Sequence, residues 1–153
     1  MSAYAESAMK DLVGKTINRI DINKSKTIIR FKIKDSEDFL YFKAEGDCCS
    51  ESWFEHINIT SAYKLEGEGE GLEVVEIKDI ELGQVMPSRQ ESDEIYGIEI
   101  KCKCSRYDYN EKISIELRNS SNGYYGGSIK ESSADDIKEY GYNAEFSQIE
   151  DSF

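Results

Sequence analysis

A chain of 153 residues is short for more than one domain, and its 39% apolar content, with 10 Tyr and 6 Phe, is enough to build a real core. A single proline and the lack of low-complexity blocks exclude wholesale disorder, and no apolar run approaches the roughly 20 residues of a membrane span. The formal net charge of -12 excludes direct recognition of nucleic acid through phosphate and leaves two surfaces to consider: a solvated acidic coat, or an acidic face that docks on a basic partner.

The N-terminal residues lack a basic start followed by an apolar core, which predicts a cytoplasmic protein without a secretory signal. Residues 5–13 place Ala8, Met9 and Leu12 at helical spacing, with Gly14 as a C-terminal cap. Residues 15–23 alternate. Residues 27–34 alternate more clearly, with Ile29, Phe31 and Ile33 on one face, and the short link between the two runs predicts a hairpin. Residues 39–42 supply a third strand. Ser52-x-x-Glu55 has capping-box spacing, and Trp53, Phe54 and Ile57 can form a buried side, which predicts a helix over 51–59. Residues 66–71 alternate Glu and Gly as a loop. Residues 72–82 form a strand whose pattern changes phase near Lys78. Residues 83–94 form a polar connection. Residues 95–104 and 112–118 make a hairpin, with Ile113, Ile115 and Leu117 on one face, and 124–129 a last strand. The resulting expectation is an α+β fold: a mostly antiparallel sheet with one or two packed helices, a single domain over 1–131 and an acidic, fraying tail over 132–153 with one helical turn near 135–140.

Two stretches stand apart chemically. Glu45-Gly-Asp-Cys-Cys-Ser-Glu-Ser-Trp-Phe-Glu-His-Ile57 holds the only Trp, the only His and two of the four Cys. Asn119-Ser-Ser-Asn-Gly-Tyr-Tyr-Gly-Gly127 is built from small polar and aromatic residues. A helix starting near Ser52 would offer unpaired backbone N–H groups to an anion. Ser50 and Ser52 add hydroxyls, Trp53, Tyr124 and Tyr125 add flat faces, and Asn119 and Asn122 add amides. The candidate ligand site is therefore Asp47, Cys48, Cys49, Ser50, Ser52, Trp53, Asn119, Ser120, Ser121, Asn122, Tyr124 and Tyr125, on two loops expected side by side. Each element also has a purely structural role open to it: Ser52 and Glu55 as a cap, Trp53 as a core anchor, Asn122-Gly123 as a turn.

The cysteines point less far. Cys102 and Cys104 share one face of a strand, but the adjacent Cys48 and Cys49 lack the spacer of a zinc site, so no metal is assigned and no cofactor is called for. A thiol at a helix start could be activated with His56 as base, yet a helix would place His56 about two turns away. A cysteine-dependent enzyme is therefore the third reading, and no catalytic residue is named.

The two stretches, together with Gly14-Lys15-Thr16, resemble a family of small uncharacterised proteins encoded by bacteriophages and prophages. The resemblance runs from Leu12 to Ile129 and departs over 63–71 and in the tail. It implies no activity, only a setting in which accessory proteins counter host defence. The leading reading is thus a phage-type protein that binds, and by binding sequesters, a small phosphate-bearing or nucleotide-like ligand. The alternative is an acidic inhibitor that docks on the basic face of a host protein. Self-association stays open, and no membrane partner is expected.

Overall fold

The alternation of apolar residues along most of the chain builds strands, and the strands build one curled antiparallel sheet. The computed structural model describes residues 3–47, 49–59, 71–104, 109–123, 126–139, 145–149 and 152. In chain order these give a short helix α1 (Ala5–Ala8), a 3-10 turn (Lys10–Leu12), β1 (Thr16–Asn23), β2 (Ile28–Ile33), β3 (Phe39–Gly46), β4 (Glu51–Ile59), β5 (Leu72–Val85), β6 (Ser92–Cys104), β7 (Tyr109–Ser121), β8 (Gly127–Ser132), α2 (Ala134–Glu139) and β9 (Phe146–Gln148). The strands lie in the order β4-β7-β6-β5-β1-β2-β3-β8, with β9 beside β1.

Strand β1 is where the sheet turns over. It pairs with β2 along its length, but with β5 only through Thr16 and Ile17, opposite Glu73 and Leu72. A register shift between Ile17 and Arg19 bends it away, and Asp21, Ile22 and Asn23 then pair with Gln148, Ser147 and Phe146 of β9. The two halves of the sheet consequently face each other. Ile17, Ile20, Ile29, Phe31 and Phe42 from one half join Phe54, Ile57, Ile98, Ile100, Ile113, Ile115 and Leu117 from the other in a single buried cluster. Phe31 and Phe42 meet edge to face, with ring centroids 5.8 Å apart. The segment beyond residue 131 adds to this body: Ile149 is buried and its N–H donates to the Ile20 carbonyl.

The α+β expectation is overturned. Among the described residues the helices have four and six residues, plus one 3-10 turn, and none packs as a layer on the sheet. The decisive correction is at 51–59, which forms β4 and not a helix. Its pairing with β7 slips between Phe54 and His56, a bulge that inserts Glu55. Phe54 and Ile57 both point inward as a result, three residues apart, which in one dimension imitates a helical face. The supposed capping box dissolves with it. The Ser52 hydroxyl donates to Asn119 Oδ1 at 2.7 Å, and the Glu55 carboxylate accepts the Trp53 indole N–H. The connection expected over 83–94 is also shorter, because β5 runs to Val85 and β6 starts at Ser92. No helix among the described residues is long and apolar enough to cross a membrane.

The two ends of the strand order close on each other at one corner. The Phe54 N–H of β4 donates to the Lys26 carbonyl in the β1–β2 turn at 2.7 Å. Gly127, at the start of β8, lies against the Ser52 hydroxyl of β4 and the Asn119 side chain of β7, so that a Cβ there has no room. Ser52 and Asn119 are buried and bonded to each other, so neither yields easily. Gly127→Ala is expected to lower stability by about 1–3 kcal/mol through overpacking. Urea unfolding of the purified variant checks it, and wild-type stability would show that the corner is loose.

Candidate functional site

Pairing between β4 and β7 fixes where the two distinctive stretches meet. Glu51 lies opposite Ser120, Ser52 opposite Asn119 and Trp53 opposite Arg118. The Asp47 N–H donates to the Gly126 carbonyl at 3.0 Å, and the Ser50 hydroxyl donates to the Asp47 carbonyl at 2.8 Å. Between them Cys49 takes a positive φ of 68° and is exposed. The structure thus brings together Asp47, Cys49, Ser50, Ser52, Trp53, Asn119, Ser120 and Ser121. Asn122 is exposed in the following turn. Cys48, Tyr124 and Tyr125 lie outside the described residues, as do Glu66, Glu68 and Glu70 of the Glu-Gly loop.

Proximity does not make all of these residues available. Ser52, Asn119, Ser120 and Ser121 are buried, and their polar groups are spent on the fold. Ser120 Oγ accepts the Gln90 N–H at 2.9 Å, Ser121 Oγ accepts the Gly123 N–H at 2.9 Å, and the Gln90 side chain donates to the Ser120 carbonyl at 3.0 Å. The run of serines and asparagine marks a polar joint between β7, β4 and the β5–β6 connection. The anion site expected at a helix start has no helix to form it, because 51–59 is strand β4, whose N–H groups alternate in direction and do not converge at one end.

The open space at this corner is a cleft of about 350 Å3, lined by Ser25, Thr27, Glu51, Ser52, Trp53 and Arg89. Ser52 and Trp53 belong to the set expected from the sequence; Ser25, Thr27, Glu51 and Arg89 do not. Ser25 and Thr27 come from the β1–β2 turn, which is organised by one amide. Asn23 Oδ1 accepts the N–H groups of Thr27 and Ile28, and Asn23 Nδ2 donates to Ser25 Oγ at 3.1 Å and Thr27 Oγ1 at 3.0 Å. The two hydroxyls are 2.8 Å apart. The only signal for them in one dimension is the Asn-x-Ser-x-Thr spacing of a side-chain-bonded turn.

Two guanidinium groups approach Trp53, and they differ in what they have left to give. Arg118, 5.7 Å from the ring centroid and largely buried, donates through Nε to Asp93 at 2.7 Å, through Nη2 to the Pro87 carbonyl at 2.8 Å and through Nη1 to Glu55 at 3.4 Å. It is a structural post. Arg89, 5.0 Å from the same centroid, is 62% exposed and pairs with Glu51 at 3.3 Å, itself 58% exposed. An ion pair of that kind is worth about 0–1 kcal/mol and is readily exchanged for a ligand. Asp93 anchors the post. Burial opposes its ionisation, but the Ser120 hydroxyl, the Arg89 N–H and Arg118 together outweigh burial and hold its carboxyl below the ordinary aspartate value of 3.8.

The cysteine readings change with the topology. Cys102 and Cys104 are buried in the core at the far end of β6, and Cys102 is about nine residues, or roughly 30 Å, along that strand from Asp93 beside the cleft. They cannot join Cys49 in one metal site. Burial, helped by Glu111, pushes the Cys102 thiol up to about 12, so it stays protonated at neutral pH. His56 is exposed on β4.

Residues 10–130 match the family model described as Domain of unknown function (DUF7448). The chain is also 31% identical, over 130 residues, to Uncharacterized protein L278 of Acanthamoeba polyphaga mimivirus, an alignment covering 83% of this chain and 94% of that protein. No solved structure matches it.

The Asp93 network makes a testable statement about pH. A depressed carboxylate value gives stability that is fully present above the unfolded value near 3.8 and is lost as pH falls through the lower folded value. Asp93→Asn is expected to cost about 1.5–3 kcal/mol at neutral pH, as for loss of a hydrogen bond to a charged group. The deficit should shrink in acid, where the wild type loses the same contribution. Urea midpoints of both proteins at neutral and acid pH decide it, and a deficit independent of pH refutes the assignment.

Proposed function

The chain belongs to the DUF7448 family, and from that premise we propose that it is a binding protein that holds a small phosphate-bearing, nucleotide-like ligand in the Trp53–Arg89 cleft. The observation that carries this reading is the pairing of an aromatic face with a guanidinium that is not consumed by the fold. Arg89 lies over the Trp53 ring region, and among the described residues its one ion pair is an exchangeable surface pair with Glu51. Arg118, fully engaged behind it, keeps the strand carrying Trp53 in place. A planar ring stacked on Trp53 gains dispersion and cation–π attraction, while an attached phosphate meets the fork of Arg89 and the hydroxyls of Ser25 and Thr27.

The proposed role is to hold this ligand, not to transform it. Ser25 and Thr27 hydrogen-bond to Asn23 and to each other, and among the described residues lining the cleft none is a histidine or a cysteine. The setting we propose is viral, of phage or prophage type and in the host cytoplasm. There a stoichiometric binder acts by lowering the free concentration of a nucleotide signal of host defence. A mimivirus protein among its relatives supports the viral part of this reading.

Trp53 is the single tryptophan beside 10 tyrosines, so emission excited beyond the tyrosine absorption band reports on the cleft. Titration with nucleoside 5′-phosphates is expected to change that emission. Arg89→Ala should weaken binding about tenfold or more, equivalent to about 1.4 kcal/mol, with the fold unchanged, because the side chain is exposed. Asn122→Ala, outside the cleft lining, should leave binding within about twofold, roughly 0.4 kcal/mol. Equal losses in the two variants, or emission that no nucleotide alters, would remove the cleft as the site.

A further inference from the structure

The cleft contains a carboxylate that an anion site does not need. Glu51 is acceptor-only when ionised, and it repels phosphate. Its place beside Arg89 and Trp53 is explained if the ligand carries hydroxyl donors next to its anionic group. We propose that Glu51 reads a vicinal diol, and that the cleft therefore takes ribonucleoside 5′-phosphates in preference to their 2′-deoxy counterparts. This inference rests on the nucleotide-binding reading of the same cleft.

Three further observations support it. The first is stoichiometry of donors. Asn23 Nδ2 donates to both Ser25 Oγ and Thr27 Oγ1, and the two hydroxyls, 2.8 Å apart, share one bond. Among the described residues two hydroxyl hydrogens serve one internal bond, which leaves one O–H to be donated into the cleft. The turn thus offers a donor for a phosphate or ring oxygen. Among the described cleft-lining side chains Glu51 is the one that offers a carboxylate to ligand hydroxyls. The second is exchangeability. Glu51 and Arg89 face each other at 3.3 Å with both side chains more than half exposed, so a ligand bearing a diol and a phosphate can satisfy the two separately at little cost. A carboxylate with two acceptor oxygens suits two adjacent hydroxyls, as in the acidic residue that binds ribose in dinucleotide folds. The third is size. At about 350 Å3 the cleft sits at the low end of ligand pockets, which suits one nucleotide, because such pockets run about 300–1,000 Å3.

The β1–β2 turn is held at a fixed position relative to Trp53. The Phe54 N–H donates to the Lys26 carbonyl, and Lys26 itself adopts a positive φ of 62°. The hydroxyl pair and the ring are therefore parts of one rigid corner, and the movable parts are the Glu51 and Arg89 side chains.

Calorimetric titration of the whole protein with AMP, GMP, dAMP and dGMP tests the proposal. The wild type is expected to bind the ribonucleotides about tenfold more tightly than the deoxynucleotides. Glu51→Gln, at an exposed position, also removes a negative charge beside Arg89 and so acts on both series alike through the phosphate; the diol assignment is read from the ratio, which should fall so that ribonucleotides and deoxynucleotides bind within about twofold of each other, roughly 0.4 kcal/mol. Equal wild-type affinity for both series, or an unchanged ratio in Glu51→Gln, overturns the diol assignment while the nucleotide reading stands. No binding of any of the four overturns both.

Discussion

Arg118 is the side chain on which this corner of the molecule depends. From β7 it reaches Asp93 on β6, Glu55 on β4 and the Pro87 carbonyl in the β5–β6 connection. A buried guanidinium is tolerated only when its donors are matched, and here they are distributed over three segments that no single hydrogen-bond ladder joins. Asp93 extends the network by accepting the Arg89 N–H at 3.0 Å, which fixes the backbone from which the Arg89 side chain projects. The position of the exposed arginine is thus set by the buried one.

A second polar layer does the same for the opposite wall. Asp21 is fully buried on β1 and receives Arg19 Nε at 2.8 Å and Arg30 Nε at 2.7 Å. Arg30 is in turn held between the rings of Phe39 and Phe146, at 4.2 and 4.1 Å from their centroids, which brings β9 onto β1 and covers the outer face of the strand. Two residues further along β1, Asn23 shapes the turn that carries Ser25 and Thr27. β1 therefore has apolar contacts on one face and an ion-paired polar network around Asp21 on the other, while Asn18, at its register shift, keeps a buried Oδ1 with no hydrogen-bond partner among the described residues.

The strands whose side chains alternate were legible in the sequence for a plain reason: Ile29 and Phe31, or Ile113, Ile115 and Leu117, face one core and keep period two. β4 was not legible, because the bulge at Glu55 replaces period two with a spacing of three at the point where Ser52 and Glu55 imitate a cap. One unpaired residue was enough to convert a strand into an apparent helix, and the fold class followed it. The site was half legible. Ser52 and Trp53 were visible as unusual residues, but the partners that give Trp53 its chemistry come from the β1–β2 turn and the β5–β6 connection, which local pattern cannot bring to it. The serines and asparagine of β7 stand out in the sequence as small polar residues, and the structure gives them a bonding role in the fold: polar side chains in a core position must bond to something, and these bond to the chain itself.

The change from helix to strand alters what the cleft can use to hold an anion. A helix start would present several N–H groups and a dipole in one direction. β4 ends the strand order and bonds along its length to β7 alone, with the Phe54 N–H going outward to the Lys26 carbonyl, so its N–H groups alternate in direction and do not converge on one point, and attraction has to come chiefly from side chains. The molecule as a whole works against an anion, since its net charge of -12 gives an unfavourable far field. That field is screened over about 8 Å at physiological salt, whereas a guanidinium fork and a stacked ring act at contact. An anionic ligand would therefore be retained by short-range geometry and not gathered by long-range steering. The burden of affinity for such a ligand would fall on Arg89 and Trp53, with the network from Asp93 through Arg118 to Glu55 behind them holding the walls of the cleft in place.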